Sequence, residues 1–322
     1  GMVGAALLAG RAALRLGGGR VYVGLFADSP TVDPDQPELM LRPAQDLLKM
    51  EGLDCIVCGP GLGQSQGALH ALTAALRHSA PMIVDAYITR TSVALPNQPA
   101  ENDQVETVLG QVGDRPSRAR RIVLRNNGIR KRYYVIDPRT GLATHSNATL
   151  TAAAVRDLAD EHFALEDIAV LACGTSNPDQ LMPNHAVMVH GELGVPIREV
   201  ISTSGVCLSG TTALKYGWMA VKSGCAANAV VTGSEVASLG LRAHNYEAEC
   251  AMRGKALDAN PELAFDKDFL RWMLSDGAGA WLLESQPRRG LNLRVDWIEL
   301  FSYAHALPAC MYMGADKESG GA

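Results

Sequence analysis

Apolar positions in residues 3–16 recur at helical intervals and stop at Gly17-Gly18-Gly19, which predicts an amphipathic helix closed by glycine. Residues 21–26 form a short apolar run and read as a strand, followed by a loop carrying Asp28, Pro30, Asp33, Pro34 and Pro37. A second strand at 54–58 runs into Gly59-Pro60-Gly61-Leu62-Gly63, then a helix at 68–78 and a third strand at 82–85. Strand and helix in alternation predict a parallel sheet with helices packed on it.

The pattern shifts at Tyr87 but remains alternating. Residues 88–95 read as a strand ending at Pro96-Asn97, 101–109 as a helix, and a basic segment runs from Arg115 to Arg132. A helix follows around 149–163, a strand at 168–173, a helix near 184–193 and a strand at 197–201. From Leu208 the apolar residues Leu208, Leu214, Trp218 and Val221 fall at helical spacing, ending at Ser223-Gly224, where glycine suits a C-terminal cap. A strand at 229–232 continues the sheet, 239–265 is irregular, and Asp276-Gly277-Ala278-Gly279-Ala280 is a turn into a buried strand. The long irregular stretch suits a pocket cap, since loops on a rigid core often shape substrate choice.

Composition narrows the class. The chain has 322 residues, room for two domains or one large one, and is 47% hydrophobic with 20% charged residues, as a globular protein should be. A net charge of -5 gives no general reason to expect a nucleic-acid partner. Seven cysteines without framework spacing suit reduced thiols in a cytoplasm. The first apolar run lacks a basic leader and is broken by Arg11 and Arg15, so it does not read as a signal peptide, and no apolar stretch is long enough to span a bilayer.

Cys207 carries the sharpest chemistry. It lies on a strand-to-helix turn, where free N–H groups and the helix dipole favour a thiolate and can hold the oxyanion formed when a thioester carbonyl is attacked. Gly205, Ser209 and Gly210 would form the oxyanion site and pocket around it. A cysteine so placed can take an acyl group and hold it for a second reaction. Gly59, Gly61 and Gly63 form either a phosphate-cradling loop or a plain tight turn. Cys55 and Cys58 make a C-x-x-C without a second ligand pair, which reads as buried small hydrophobes. The arginines at 115, 118, 120, 121, 125, 130 and 132 either bind an anion or form a solvated, ion-paired face; no interleaved aromatics favour nucleic acid. There is no metal constellation.

Two resemblances organise these pieces. The strings GAALLAGRAALRLGGGRVYV, PELML, CGPGLG and PMIVDA make residues 1–86 similar to ADP-dependent NAD(P)H-hydrate dehydratases, which have a ribokinase-like fold. That implies ADP or ATP at Gly59, Gly61 and Gly63. The family's Gly-Thr-Gly-Asp segment has no counterpart after Asp85, and its opening strand is missing because the chain starts inside the first helix. A working dehydratase site is therefore not expected.

Residues 87–322 resemble the N-terminal part of ketoacyl-ACP synthase III-like condensing enzymes. AYITRTSVALPNQP, NNGIRKRYY, LACGTSNPDQLMPNHA, STSGVCLSGTTALKYG, VVTGSEVAS and LSDGAGAWLLE occur in family order, with spellings similar to the aryl polyene and dialkylresorcinol branch. The resemblance implies Cys207 as the acylated nucleophile. It also implies Arg130 and Arg132 near coenzyme A or an acyl carrier protein, thioester substrates on coenzyme A or phosphopantetheine with no covalent cofactor, and a homodimer when the fold is whole. The expected fold class is α/β, an incomplete ribokinase-like piece followed by the first part of a thiolase-like fold.

This likeness has a gap. The family completes its site with a histidine in a His-x-x-Asn string and an asparagine in a Gly-Asn-x-Ser string, and neither string is present; after Cys207 the histidines are His244 and His305. His185 and His190 read as core or loop residues. The strings of the two families meet at Asp85 without a linker, as expected of a misjoined frame or of a fused two-domain chain alike. Three functions stay open: a condensing acyltransferase, a dehydratase piece, and a non-catalytic fusion of two partial domains.

Overall fold

A computed structural model describes residues 3–15, 17–26, 32–58, 65–78, 82–83, 85–112, 119–247 and 268–308. The chain is mixed α/β and divides into two compact units. One holds Gly1–Thr89, Trp218–Ala229 and Leu283–Ile298; the other holds Arg90–Gly217, Val230–Leu282 and Glu299–Ala322.

The first unit opens with α1 (Val3–Arg15), β1 (Tyr22–Leu25), β2 (Met40–Pro43) and α2 (Ala44–Leu47). Helix α1 packs Ala6 and Leu14 against Val23, Leu25 and Leu39. Gly10 makes this approach possible, since a Cβ there would stand 2.6 Å from a Val23 methyl. Arg11 clamps the buried Asp33 through Nε at 2.7 Å and Nη2 at 2.6 Å, and this hydrogen bonding holds the carboxyl below its usual range. Next come β3 (Ile56–Val57), α3 (Gln66–Leu76) and β4 (Met82–Ile83).

Where the periodicity predicts one parallel sheet, these strands form two separate parallel pairs, β1 with β2 and β3 with β4. Strand β2 is absent from the sequence pattern: it has four residues, two of them Arg42 and Pro43, and so lacks a strand-like apolar run. A largely apolar cavity of about 780 Å³ is lined by β1, β3 and facing parts of α1, α2 and α3.

The second unit follows a strand, β5 (Tyr87–Ala94), that begins in the first. After it come β6 (Ala100–Glu101), α4 (Val105–Leu109), α5 (Ala119–Asn127), β7 (Lys131–Arg132), α6 (Asn147–Arg156), β8 (Val170–Gly174), α7 (His185–Leu193), β9 (Glu199–Thr203), α8 (Ser209–Lys222), β10 (Asn228–Glu235), α9 (Asp268–Arg271) and β11 (Gly277–Glu284). The sheet runs in the order β5-β11-β10-β8-β9. The final strand, β12 (Leu293–Arg294), pairs antiparallel with Ile88 and Tyr87 in the first unit.

Strand β8 is buried at all five positions, as expected of an interior strand in a parallel arrangement. Its core companions include Val155, Leu158, Phe163, Val189 and Leu282. Helix α6 starts where Ser146 forms a capping box with Thr149, while Asp179 accepts from the Asn147 and Ala148 amides at 2.7 and 2.8 Å. Helix α7 is capped by Asn184 and closed by left-handed Gly194.

Asp276 joins three segments. Its buried carboxylate accepts from the Val135 amide (2.7 Å), the Ser238 amide (2.9 Å) and the Ser238 hydroxyl (2.5 Å). Burial raises its pKa. The turn read at 276–280 thus begins on a structural carboxylate and enters β11.

Candidate active site

Strands β8 and β9 pair in parallel, with Gly174 opposite Thr203, so their carboxyl ends finish side by side. Open α/β sheets place ligands at such ends. Beyond Thr203 the chain crosses a five-residue turn into α8, and Cys207 sits in that turn. Its φ is +56°, a left-handed conformation that a side-chain-bearing residue rarely adopts, and its side chain is exposed. Gly205 takes φ +140°.

The backbone tightens from here. The Leu208 amide donates to the Gly205 carbonyl at 3.2 Å, and the Leu208 carbonyl accepts from the Thr212 amide at 2.8 Å. Leu208 is therefore the residue that opens α8, and Cys207 directly precedes it. The first amides of a helix have no intrahelical partner and carry the positive end of its dipole. Cys207 thus lies in the turn between β9 and α8, a strand-to-helix position.

Ser209 and Gly210 have duties that the sequence does not reveal. Ser209 is buried; its hydroxyl donates to the Gly205 carbonyl at 2.5 Å and its own carbonyl accepts from Thr203 Oγ1 at 2.8 Å. It braces the turn from inside instead of facing a pocket. Gly210 lies against β10, where an added Cβ would stand 3.2 Å from Gly233 Cα. Its lack of a side chain serves helix-to-strand approach.

A polar network extends behind the turn. Glu235, the last residue of β10, accepts from the Ser176 amide at 2.6 Å and from Thr175 Oγ1 at 3.3 Å. Ser176 Oγ meets Ser209 Oγ at 3.2 Å. Asn147 Nδ2 donates to Thr175 Oγ1 and to the Asn177 carbonyl, each at 2.9 Å. His185 Nε2 lies 3.2 Å from Ser234 Oγ and 3.3 Å from Thr151 Oγ1, and burial pushes its pKa down to about 4. His185 is thus a neutral core residue. Sequence reasoning passes over Glu235, which closes a strand that is buried at Ala229, Val230, Val231, Thr232 and Ser234.

The basic segment divides. Arg132 is fully buried: its guanidinium donates to Asn102 Oδ1 and to the Trp272 carbonyl, and desolvation lowers its pKa. Expected at a coenzyme A or carrier-protein mouth, it instead ties β7 to the core. Arg120 also turns inward, pairing with Glu106 at 3.0 Å with its guanidinium 5.4 Å from the Trp272 ring centroid. Arg121, Arg125, Arg130 and Lys131 remain exposed or half-exposed. Arg115, Arg118 and the loop glycines Gly59, Gly61 and Gly63 lie outside the described residues, as does most of the stretch read as a pocket cap. Cys55 is exposed and Cys58 half-buried, in place of the buried pair expected. Among the described residues no group of three or more His, Cys, Asp or Glu could hold a metal. None of the described helices is long and apolar enough to cross a membrane.

Comparison with known proteins bears first on the fold. A structure of 3-oxoacyl-(acyl carrier protein) synthase III from Pseudomonas aeruginosa PAO1 aligns with a TM-score of 0.50 and 21% identity, covering 73% of this chain and 60% of that one. At this identity the likeness bears on the fold alone, which over the aligned part is similar to the thiolase fold of that synthase. More particularly, the chain is 29% identical over 121 residues to beta-ketoacyl-[acyl-carrier-protein] synthase III 2 of Deinococcus radiodurans, covering 37% of this chain and 36% of the relative. It is 27% identical over 206 residues to the synthase III of Bordetella petrii, covering 64% and 54%. The chain spans about half the length of the curated relatives it matches. Residues 1–105 match the NAD(P)H-hydrate dehydratase family, so that match runs past the seam read at Asp85.

Proposed function

We infer that residues 87–322 form the acyl-accepting part of a β-ketoacyl-ACP synthase III-type acyltransferase, with Cys207 as nucleophile. The observation that carries this reading is the exposed, left-handed cysteine two residues before Ser209, the first residue of α8. Its Sγ, as thiolate, attacks the carbonyl carbon of an acyl thioester. The resulting oxyanion is stabilised by amides at the head of the helix. Collapse breaks the carbon–sulfur bond to the carrier, leaving an acyl group on Cys207 and releasing the carrier thiolate, which takes up a proton.

The donor is an acyl thioester of coenzyme A or of phosphopantetheine on an acyl carrier protein, and exposed Arg130 is a residue of the basic segment that can meet it. Condensation with a malonyl thioester belongs to the same scheme. That step draws on histidine and asparagine strings that these residues do not contain, so acyl loading is the reaction to assay. The setting is a reducing cytoplasm, and the assembly a homodimer when the fold is whole.

A second reading is favoured by the dehydratase family match: residues 1–86 are a ribokinase-like, ADP-binding segment. ADP would raise the unfolding temperature if it is right.

The test of the main reading is release of free coenzyme A from an acyl-CoA. One equivalent per chain from wild type and none from Cys207→Ser supports it; equal release from both removes it.

A further inference from the structure

We propose that Glu235 is a positioning residue for Cys207, acting through Ser176 and Ser209 to fix the turn that presents the thiol. This rests on the reading of Cys207 as nucleophile.

The proton inventory sets the direction of the relay. Ser209 has a single hydroxyl proton, and it goes to the Gly205 carbonyl at 2.5 Å. At the 3.2 Å contact between the two serines, Ser176 must therefore donate and Ser209 accept. Ser176 is held in place because its own amide donates to Glu235 Oε1 at 2.6 Å. The other carboxylate oxygen takes the Thr175 hydroxyl at 3.3 Å, while Thr175 Oγ1 accepts from Asn147 at 2.9 Å and from the Asn177 amide at 3.2 Å. Each link has donor and acceptor in the required sense.

The relay ends where the backbone is most constrained. The Gly205 carbonyl takes both the Ser209 hydroxyl and the Leu208 amide, and Cys207, at φ +56°, lies within the turn that these two bonds close. A left-handed non-glycine residue persists only where its surroundings over-determine it. Glu235 supplies two acceptors at the base of that arrangement, at the junction of β8 and β10. Glutamine in its place keeps one oxygen for the Ser176 amide but sets an NH2 donor where the second carboxylate oxygen receives the Thr175 hydroxyl, which reverses that link. Glutamine offers one acceptor and one donor group; alanine offers neither.

The test compares Cys207 with Cys225, an exposed thiol outside the relay, within the same molecule. Both are alkylated with iodoacetamide and quantified by mass spectrometry, with denaturant unfolding recorded for each variant. Glu235→Ala should slow Cys207 about tenfold or more relative to Cys225, since a displacement of about 1 Å can cost 10²-fold at a reacting centre. Glu235→Gln should fall between that variant and wild type, and Ser176→Ala, which cuts the relay without removing the carboxylate, should lower Cys207 in the same direction. Cooperative unfolding retained in Ser176→Ala with a slowed Cys207 supports the proposal. An unchanged Cys207-to-Cys225 ratio in cooperatively folded Glu235→Ala or Ser176→Ala overturns it, as does parallel acceleration of both thiols, the mark of a merely structural role. Should wild-type Cys207 accept acyl groups while the variants do so equally well, this proposal falls and the nucleophile assignment stands; should wild type accept none, the assignment itself falls.

Discussion

Gly174 ends β8 so close to Ser209 that a Cβ on the glycine would stand 2.3 Å from the carbonyl carbon and oxygen of the serine. The obstacle is backbone, not a side chain that can swing away. Gly174→Ala should therefore force β8 and the start of α8 apart. Overpacking of this kind typically costs about 1–3 kcal/mol. The urea midpoint should drop accordingly, and Cys207 alkylation should slow; an unchanged midpoint would show that the two elements have room to spare.

Asp276 gathers two amides and a hydroxyl onto one buried carboxylate. Asp276→Ala leaves three buried donors without acceptors, at about 1–3 kcal/mol each. A loss of roughly 3 kcal/mol or more is expected in denaturant unfolding. A loss below about 1 kcal/mol would mean that water or another group replaces the carboxylate without penalty.

His185 imposes a pH dependence with a definite sign. Burial lowers its folded pKa from 6.5 to about 4, so between these values the unfolded chain binds the extra proton. The stability linked to this residue is complete above pH 6.5 and is lost as pH falls toward 4. Each tenfold change in proton affinity is worth about 1.4 kcal/mol, which makes the full effect on the order of 3 kcal/mol. His185→Gln, which cannot take a proton, should show a flatter decline than wild type between about pH 7 and pH 4.5 in urea titrations. Parallel curves for the two would contradict this.

Arg130 and Arg132 should separate cleanly. Arg132→Ala removes donors to Asn102 and the Trp272 carbonyl from a fully buried site and should cost about 2 kcal/mol or more. Arg130→Ala should leave stability within about 0.5 kcal/mol and weaken capture of acyl-CoA. Equal stability for both variants would refute the inward role of Arg132.

The strand-to-helix turn at Cys207 is readable because local signals agree: an apolar run, a polar glycine turn, then helical spacing. The spacing starts the helix at Leu208, one residue before α8 begins at Ser209, and the Leu208 carbonyl accepts from the Thr212 amide. Helix α7 is legible for a similar reason, since Asn184 is a strong N-cap. What escapes depends on distant partners. Nothing near Arg132 announces that it meets Trp272, 140 residues further on. Helix α5 hides within an arginine run; among the described residues it sends Val123 and Leu124 to the core. Short β2 carries Arg42 and Pro43, and the separation of β1–β2 from β3–β4 has no local signature. Ser209 reads as a pocket residue because its contact with Gly205 is made by folding the turn back on itself.

The most direct measurement locates the acyl group. The protein is incubated with a short acyl-CoA, quenched in acid, digested and mapped by mass spectrometry. The result expected is acylation of the peptide bearing Cys207, reversed by hydroxylamine, with those bearing exposed Cys55 and Cys225 left unmodified. Acyl groups spread evenly over the exposed thiols, or found on none of them, would contradict it.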